Sequence, residues 1–184
     1  MKFNESKIKG LYVVELQPLI DERGFFVRSY CDKALRRAGI TKSIKQINHS
    51  FTSKVGTIRG MHYQHLPHVE IKMVRCIAGE IFDVAIDLRK GSDTFFQWHG
   101  EYLSAGDFKI MVIPEGFAHG FQAIKKNTEV FYPTTASYAP RAEAGILFSD
   151  ESIGIEWPLR ATNVSDKDLK HIALTKEFKG INIK

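Results

Sequence analysis

The chain has 184 residues, 43% of them hydrophobic and 26% charged, with a formal net charge of +5. That length suits one domain, 1–184, with a sizeable core, and the composition is that of a globular protein rather than a disordered one. No apolar run approaches the ~18 residues that cross a bilayer, the N-terminus MKFNESKIKG has no apolar core of a secretory signal, and the basic residues form no long run, so a small anion is a better partner than nucleic acid or a membrane.

LYVVEL (11–16) and FFVRSY (25–30) read as strands, rich in β-branched and aromatic residues and separated by Pro18 and the turn-like DERG. Cys31 and Cys76 are the only cysteines and have no CxxC spacing, which argues against a disulfide framework or a zinc site and fits a reducing, cytoplasmic setting. DKALRRAGI is a short helix near residues 32–38, with Asp32 placed to cap its start and Gly39 to end it.

KQINHSFTS alternates Gln46, Asn48 and Ser50 with Ile47, His49 and Phe51, so one face of that strand is amide and hydroxyl. IKMVRCIAG and EIFDVAIDL are two strands joined near Gly79. In the second, Phe82, Val84, Ile86 and Leu88 make an apolar face, leaving Ile81, Asp83, Ala85 and Asp87 on a face that is either solvated or lines a wet cavity. FFQWHGEYL, KIMVI, HGFQAI and TEVFYPTT follow as further short strands. Nine or ten strands with one helix predict an antiparallel all-β sandwich or barrel. The last third is less regular; in it Ser165 caps a turn or short helix through Asp166, Asp168 and Leu169.

Two stretches concentrate the chemistry. In GTIRGMHYQ (56–64), strand alternation puts Met61 and Tyr63 on one face and Gly60, His62 and Gln64 on the other; Arg59 joins the Met61 side unless Gly60 bends the strand. A glycine inside a strand marks a bulge or a close approach, and this one directly precedes a titratable imidazole. In IPEGFAHGF (113–121), Pro114 and Gly116 break the KIMVI strand before His119. Together the two stretches resemble the halves of a cupin motif, the second reading Gly106, Pro114, Gly116, His119.

Nine blocks in order, DERGFF, QINHSFTS, GTIRGMHYQ, IKMVRC, GEIFDVAIDLRKGSDTF, IPEGFAHGF, Tyr132 to Glu143, IGIEWPL and SDKD, look like the dTDP-4-dehydrorhamnose 3,5-epimerase family of jelly-roll cupins, across roughly residues 10–170. The resemblance implies a metal-free, cofactor-independent homodimer that inverts carbons flanking the 4-keto group of a nucleotide-linked 6-deoxyhexose. It implies His62 as the general base, Asp168 as its support, Tyr132 as the acid on the opposite sugar face, and Lys72 and His119 as contacts to sugar or pyrophosphate. Arg23, Gln46, Asn48, Arg59, Glu143 and Lys167 are implied contacts to the nucleotide diphosphate and neighbouring groups, and Tyr138 a stacking surface for the base.

Chemistry gives these types a reason to be present. A proton beside a ketone is weakly acidic, so its removal needs a placed base and something to hold the charge that moves to oxygen. An imidazole backed by a carboxylate is such a base. A lysine near the enolate oxygen contributes about 3 kcal/mol by analogy with oxyanion donors. A phenol on the far side returns a proton with inversion, and arginine forks match diphosphate oxygens. The plainer alternatives are packing for Tyr132 beside Phe131 and Pro133, an Asp83 salt bridge for Lys72, and turn capping for Asp168.

The chain departs from the family pattern at Arg28, where relatives carry an acidic residue that meets the base from the partner subunit, at Glu70, where they commonly carry Gln, and in the tail after Asp168. The nucleotide and the number of carbons inverted are therefore open. Two rivals stand beside the epimerase: a single-carbon epimerase on another nucleotide sugar, and a non-catalytic sugar-nucleotide-binding cupin. A metal-dependent cupin fits poorly, since His62 and His65 are three apart and would point to opposite faces of one strand.

Overall fold

The computed structural model describes residues 1–175 and 177–183. The first part of the chain gives β1 (Lys2–Glu5), β2 (Tyr12–Glu15), β3 (Leu19–Asp21), β4 (Gly24–Phe26) and α1 (Asp32–Arg37). The middle gives β5 (Gln46–Thr52), β6 (Ile58–Gln64), β7 (Lys72–Ala78), β8 (Glu80–Asp87), β9 (Trp98–Ser104) and β10 (Lys109–Ile113). Then come β11 (Phe117–Ala123), β12 (Thr128–Thr134), β13 (Glu143–Gly145) and α2 (Asp166–Leu169).

Two antiparallel sheets make a jelly-roll sandwich. One has the order β1-β2-β10-β7-β12-β5 and the other β13-β6-β11-β8-β9, while β3 and β4 form a separate hairpin. Between the sheets lies a core of Val74, Cys76, Ile81, Ala85, Leu103, Met111, Ile113, Phe117, Phe121 and Val130, with Leu11 from the N-terminal part. Dry surroundings push the Cys76 thiol up to about 11, which leaves it a packing residue. A second core covers the outer face of the five-stranded sheet, where Met61, Tyr63, Phe82, Val84, Ile86 and Leu88 pack under Ile146, Ile153 and Ile181 of the C-terminal segment.

That double coverage corrects the reading of β8. Asp83 and Asp87 are fully buried, and neither face of the strand is solvated because the second sheet covers one side and the tail covers the other. Asp87 is satisfied locally by Arg89, Ser92 and Thr94. Three other expectations change. FFVRSY is a strand only to Phe26, because β4 pairs with β3 alone, in a hairpin separate from both sheets with Leu19, Ile20, Phe25 and Phe26 exposed; beyond it Val27 packs on the core near β2 and Ser29 Oγ accepts from Arg75. Cys31, not Asp32, occupies the N-cap of α1; Asp32 pairs with Arg36 one turn on at 2.7 Å instead. The described residues hold thirteen strands, the excess being short pieces such as β1, β3 and β13 whose runs are too brief to show a period.

Candidate active site

β6 and β11 cross where two glycines interlock. A Cβ on Gly60 would lie 2.5 Å from Gly120 Cα, one on Gly120 would lie 2.7 Å from Arg59 O, and Gly60 sits at φ +127°, a conformation that side chains disfavour. The ladder shifts register at this point, between His119 and Phe121. The consequence is the bend that Gly60 made conditional. Arg59 and His62, three apart, line the same cavity, which strict alternation would forbid.

The cavity measures about 490 Å³ and is lined by side chains from both sheets, among them Arg59, His62, His119, Lys72 and Tyr132. A smaller neighbour of about 240 Å³ shares His62, Lys72 and Tyr132 and adds Gln46, Asn48, Glu70, Tyr138 and Glu143. His62 sits opposite His119 in the β6–β11 ladder. Tyr132 sits opposite Asn48 in the β12–β5 ladder, and Thr134 pairs with Lys72 on β7. Imidazoles on one sheet therefore confront a phenol, an ammonium and amides on the other.

His62 Nε2 lies 2.6 Å from Asp168 Oδ1, and Gly60 N–H donates to Asp168 Oδ2 at 3.2 Å. Asp168 is held there by α2, whose N-cap Ser165 Oγ accepts from Asp168 N–H. Burial works against the charged carboxylate. The hydrogen bond and charge of His62, with the Gly60 amide, outweigh that cost and hold Asp168 below the usual carboxylate range. With the proton of His62 kept at Nε2 by this partner, Nδ1 is the lone-pair nitrogen.

Lys72 is almost fully buried, 3.4 Å from the main-chain oxygen of His62 and 3.4 Å from Glu70. Its carboxylate partner is Glu70, not Asp83, which instead receives His119 Nε2 at 2.8 Å. Burial first, and then the negative charge of Glu70, raise Tyr132 above its ordinary value, against a smaller opposing pull from Arg59. The phenol keeps its proton at neutral pH. At the mouth, Tyr138 Oη and Lys167 Nζ both donate to Glu143 Oε2, at 2.7 and 2.6 Å. Gln46 Oε1 accepts from Tyr138 N–H at 2.7 Å, and Gln46 Nε2 donates to Asn48 at 3.2 Å.

Eleven of the twelve side chains singled out from the sequence thus line these two adjoining cavities. Arg23 is the exception. It lies on the β3–β4 hairpin, 84% exposed and paired with Asp21, and lines neither cavity. The sequence reading missed the partnership of Asp83 with His119, Glu70 beside Lys72, and His171, which follows Asp168 by three residues and lies 3.6 Å from its Oδ1. The i, i+3 spacing of Asp168 and His171 was the available signal for the last.

A jelly-roll whose interior sets a carboxylate-backed imidazole, an ammonium and a protonated phenol around one cavity defines a proton-transferring isomerase. The family model described as dTDP-4-dehydrorhamnose 3,5-epimerase matches residues 5–176, and the chain belongs to that family. It is 44% identical over 170 residues to the dTDP-4-dehydrorhamnose 3,5-epimerase of Shigella flexneri, covering 92% of this chain and 93% of that protein. The crystal structure of the Bacillus anthracis enzyme with TDP and PPi bound superposes with a TM-score of 0.91 at 38% identity, over 94% of this chain and 99% of that one. The Legionella pneumophila epimerase in complex with dTDP-4-keto-L-rhamnose superposes at 0.89, also 38% identical, over 94% and 92%. No helix among the described residues is long and apolar enough to cross a membrane.

Proposed function

We propose that this chain, as a single domain, inverts carbon 3, carbon 5 or both of a nucleotide-linked 4-keto-6-deoxyhexose, dTDP-4-dehydro-6-deoxyglucose being the reading best supported by the relatives, in the making of a deoxysugar. His62 Nδ1 takes the proton beside the ketone, and the electron pair moves to the carbonyl oxygen. Lys72 faces that oxygen and balances its charge. Tyr132 then delivers a proton from the opposite sheet, which inverts the carbon. Solvent reprotonates Tyr132 and relieves His62, so each inversion takes up one hydrogen from water. No cofactor enters the scheme.

Arg59, Lys167, His119, Gln46, Asn48 and Glu143 bind the nucleotide diphosphate and its surroundings, with Tyr138, half exposed at the mouth, stacking on the base. Arg23 reaches a diphosphate only if a second copy brings its hairpin to the cavity. Support for a homodimer comes from the apolar residues that one copy leaves in water: Leu19, Ile20, Phe25 and Phe26 on the hairpin, and Ile47 and Phe51 on the outer face of β5. A cytoplasmic setting fits sugar-nucleotide chemistry and two free thiols.

The observation that carries the reading is His62 on one sheet, 2.6 Å from Asp168 of α2, confronting the proton-holding Tyr132 on the other. The test is deuterium uptake from heavy water. The expected result is exchange at the carbons beside the ketone when the dTDP-linked 4-keto sugar is offered, with slower exchange for CDP- or GDP-linked versions. Binding of all three without any exchange would leave a sugar-nucleotide-binding domain and no epimerase.

A further inference from the structure

His171 follows α2, and its ring is wedged between Gly145 of β13 and the ring of His62. A Cβ on residue 145 would fall 2.3 Å from His171 Nε2, and the two imidazoles meet edge to face with centroids 5.6 Å apart. That Nε2 is buried and makes no hydrogen bond. It points at the carboxylate oxygen that already holds His62: the distances to Asp168 Oδ1 are 3.6 Å from His171 and 2.6 Å from His62. All three ligand atoms lie within 4.8 Å of one another.

We propose that these three side chains are a reversible inhibitory site for a borderline divalent cation of the zinc type, separate from any cofactor. Zn²⁺ binds imidazole nitrogen and carboxylate oxygen at roughly 2.0–2.2 Å, so two ligands on one tetrahedral ion sit roughly 3.3 Å apart. The observed separations bracket that spacing, and small side-chain movements that lengthen the His62–Asp168 contact make room for the ion. Two nitrogens and one oxygen select zinc-like ions over magnesium or calcium, which prefer all-oxygen cages. The fourth position opens on the cavity that His62 and Asp168 line, leaving a place for water. Once the ion is seated, His62 is turned from Asp168 to metal and its use as the base is blocked; this inhibitory arm rests on the epimerase reading, whereas the binding arm does not.

The test uses Co²⁺ as a spectroscopic probe and Zn²⁺ as the inhibitor, on the chelator-treated protein and its His171→Ala and His171→Asn variants. Expected are one tightly held Co²⁺ per chain with the intense visible absorption of a four-coordinate ion, at least tenfold weaker in both variants. Deuterium exchange in the unsubstituted protein should be stopped by micromolar Zn²⁺ and restored by chelator, while whatever exchange each variant shows without metal resists Zn²⁺ at tenfold higher concentration. Equal Co²⁺ spectra and equal Zn²⁺ inhibition with and without His171 would overturn the site. If Co²⁺ binding depends on His171 but no exchange is seen at any metal concentration, the site stands and the epimerase reading falls.

Discussion

Among the described residues two hydrogen-bonded histidine–carboxylate pairs lie at the cavity, and they are built for opposite ends. Asp168–His62 spans the cavity wall: both carboxylate oxygens have partners, His62 is 29% exposed, and Asp168 stays ionised. Asp83–His119 lies deeper. Asp83 is wholly buried, its Oδ2 has no partner, and burial raises its carboxyl despite the opposing charge and hydrogen bond of His119 and the weaker pulls of Lys72 and His99. The same two residue types, with the histidines on neighbouring strands and the acids on α2 and β8, give one carboxylate held ionised and one that resists losing its proton. Solvation of the acid, more than the choice of residues, decides which pair can serve a proton-abstracting base.

The comparison is broken or sharpened by substitution. Replacing His62 with Ala should have the largest effect, lowering exchange at both carbons by roughly 10³–10⁴-fold with nucleotide affinity nearly intact by calorimetry. Asp168→Asn keeps the volume but removes the acceptor that fixes the tautomer, and should cost roughly 10²–10³-fold in turnover, somewhat less than the ~10⁴ seen for an Asp in a protease triad. Tyr132→Phe should lower net inversion by roughly 10²-fold while proton removal, read as loss of label from a deuterated substrate, falls much less. An unchanged turnover would remove the phenol from the mechanism.

Asp83→Asn should cost less than tenfold, since burial already works against the charged carboxyl there and Asp83 lines neither cavity. A loss equal to that of Asp168→Asn would erase the distinction between the pairs. Stability carries the same contrast to pH. A carboxyl whose folded value is raised contributes stability fully below its unfolded value and loses it as pH rises through the folded one. The Asp83→Asn variant should therefore gain on the parent protein as pH climbs above the ordinary carboxylate range, measured as the difference in denaturation midpoints.

Much of this was legible in residue order, and the exceptions have physical causes. The alternation of Gln46, Asn48 and Ser50 gave the polar face of β5, and Gly60 gave the close crossing, because both depend on neighbours along one strand. The face of β8 that carries Asp83 and Asp87 was misread because it is the inner one, packed against the other sheet, and the partners that let two acids be buried there cannot be seen along the strand itself. Glu70 could be seen only as a departure from relatives, and Asp83 was weighed against Lys72 because sequence cannot say which of two facing basic side chains a buried acid will choose. Arg23 was placed with the site on resemblance alone, and within one copy its hairpin holds it in solvent.

The carboxylate behind His62 comes from 106 residues further along the chain, on a one-turn helix laid against the finished sandwich. During synthesis, then, β6 and its imidazole leave the ribosome well before the acid that orients it. A chain clipped just before Ser165 would be expected to lose, together with that acid, the Lys167 side of the cavity and the Ile181 cover of the outer face, so that chemical competence waits on this last stretch.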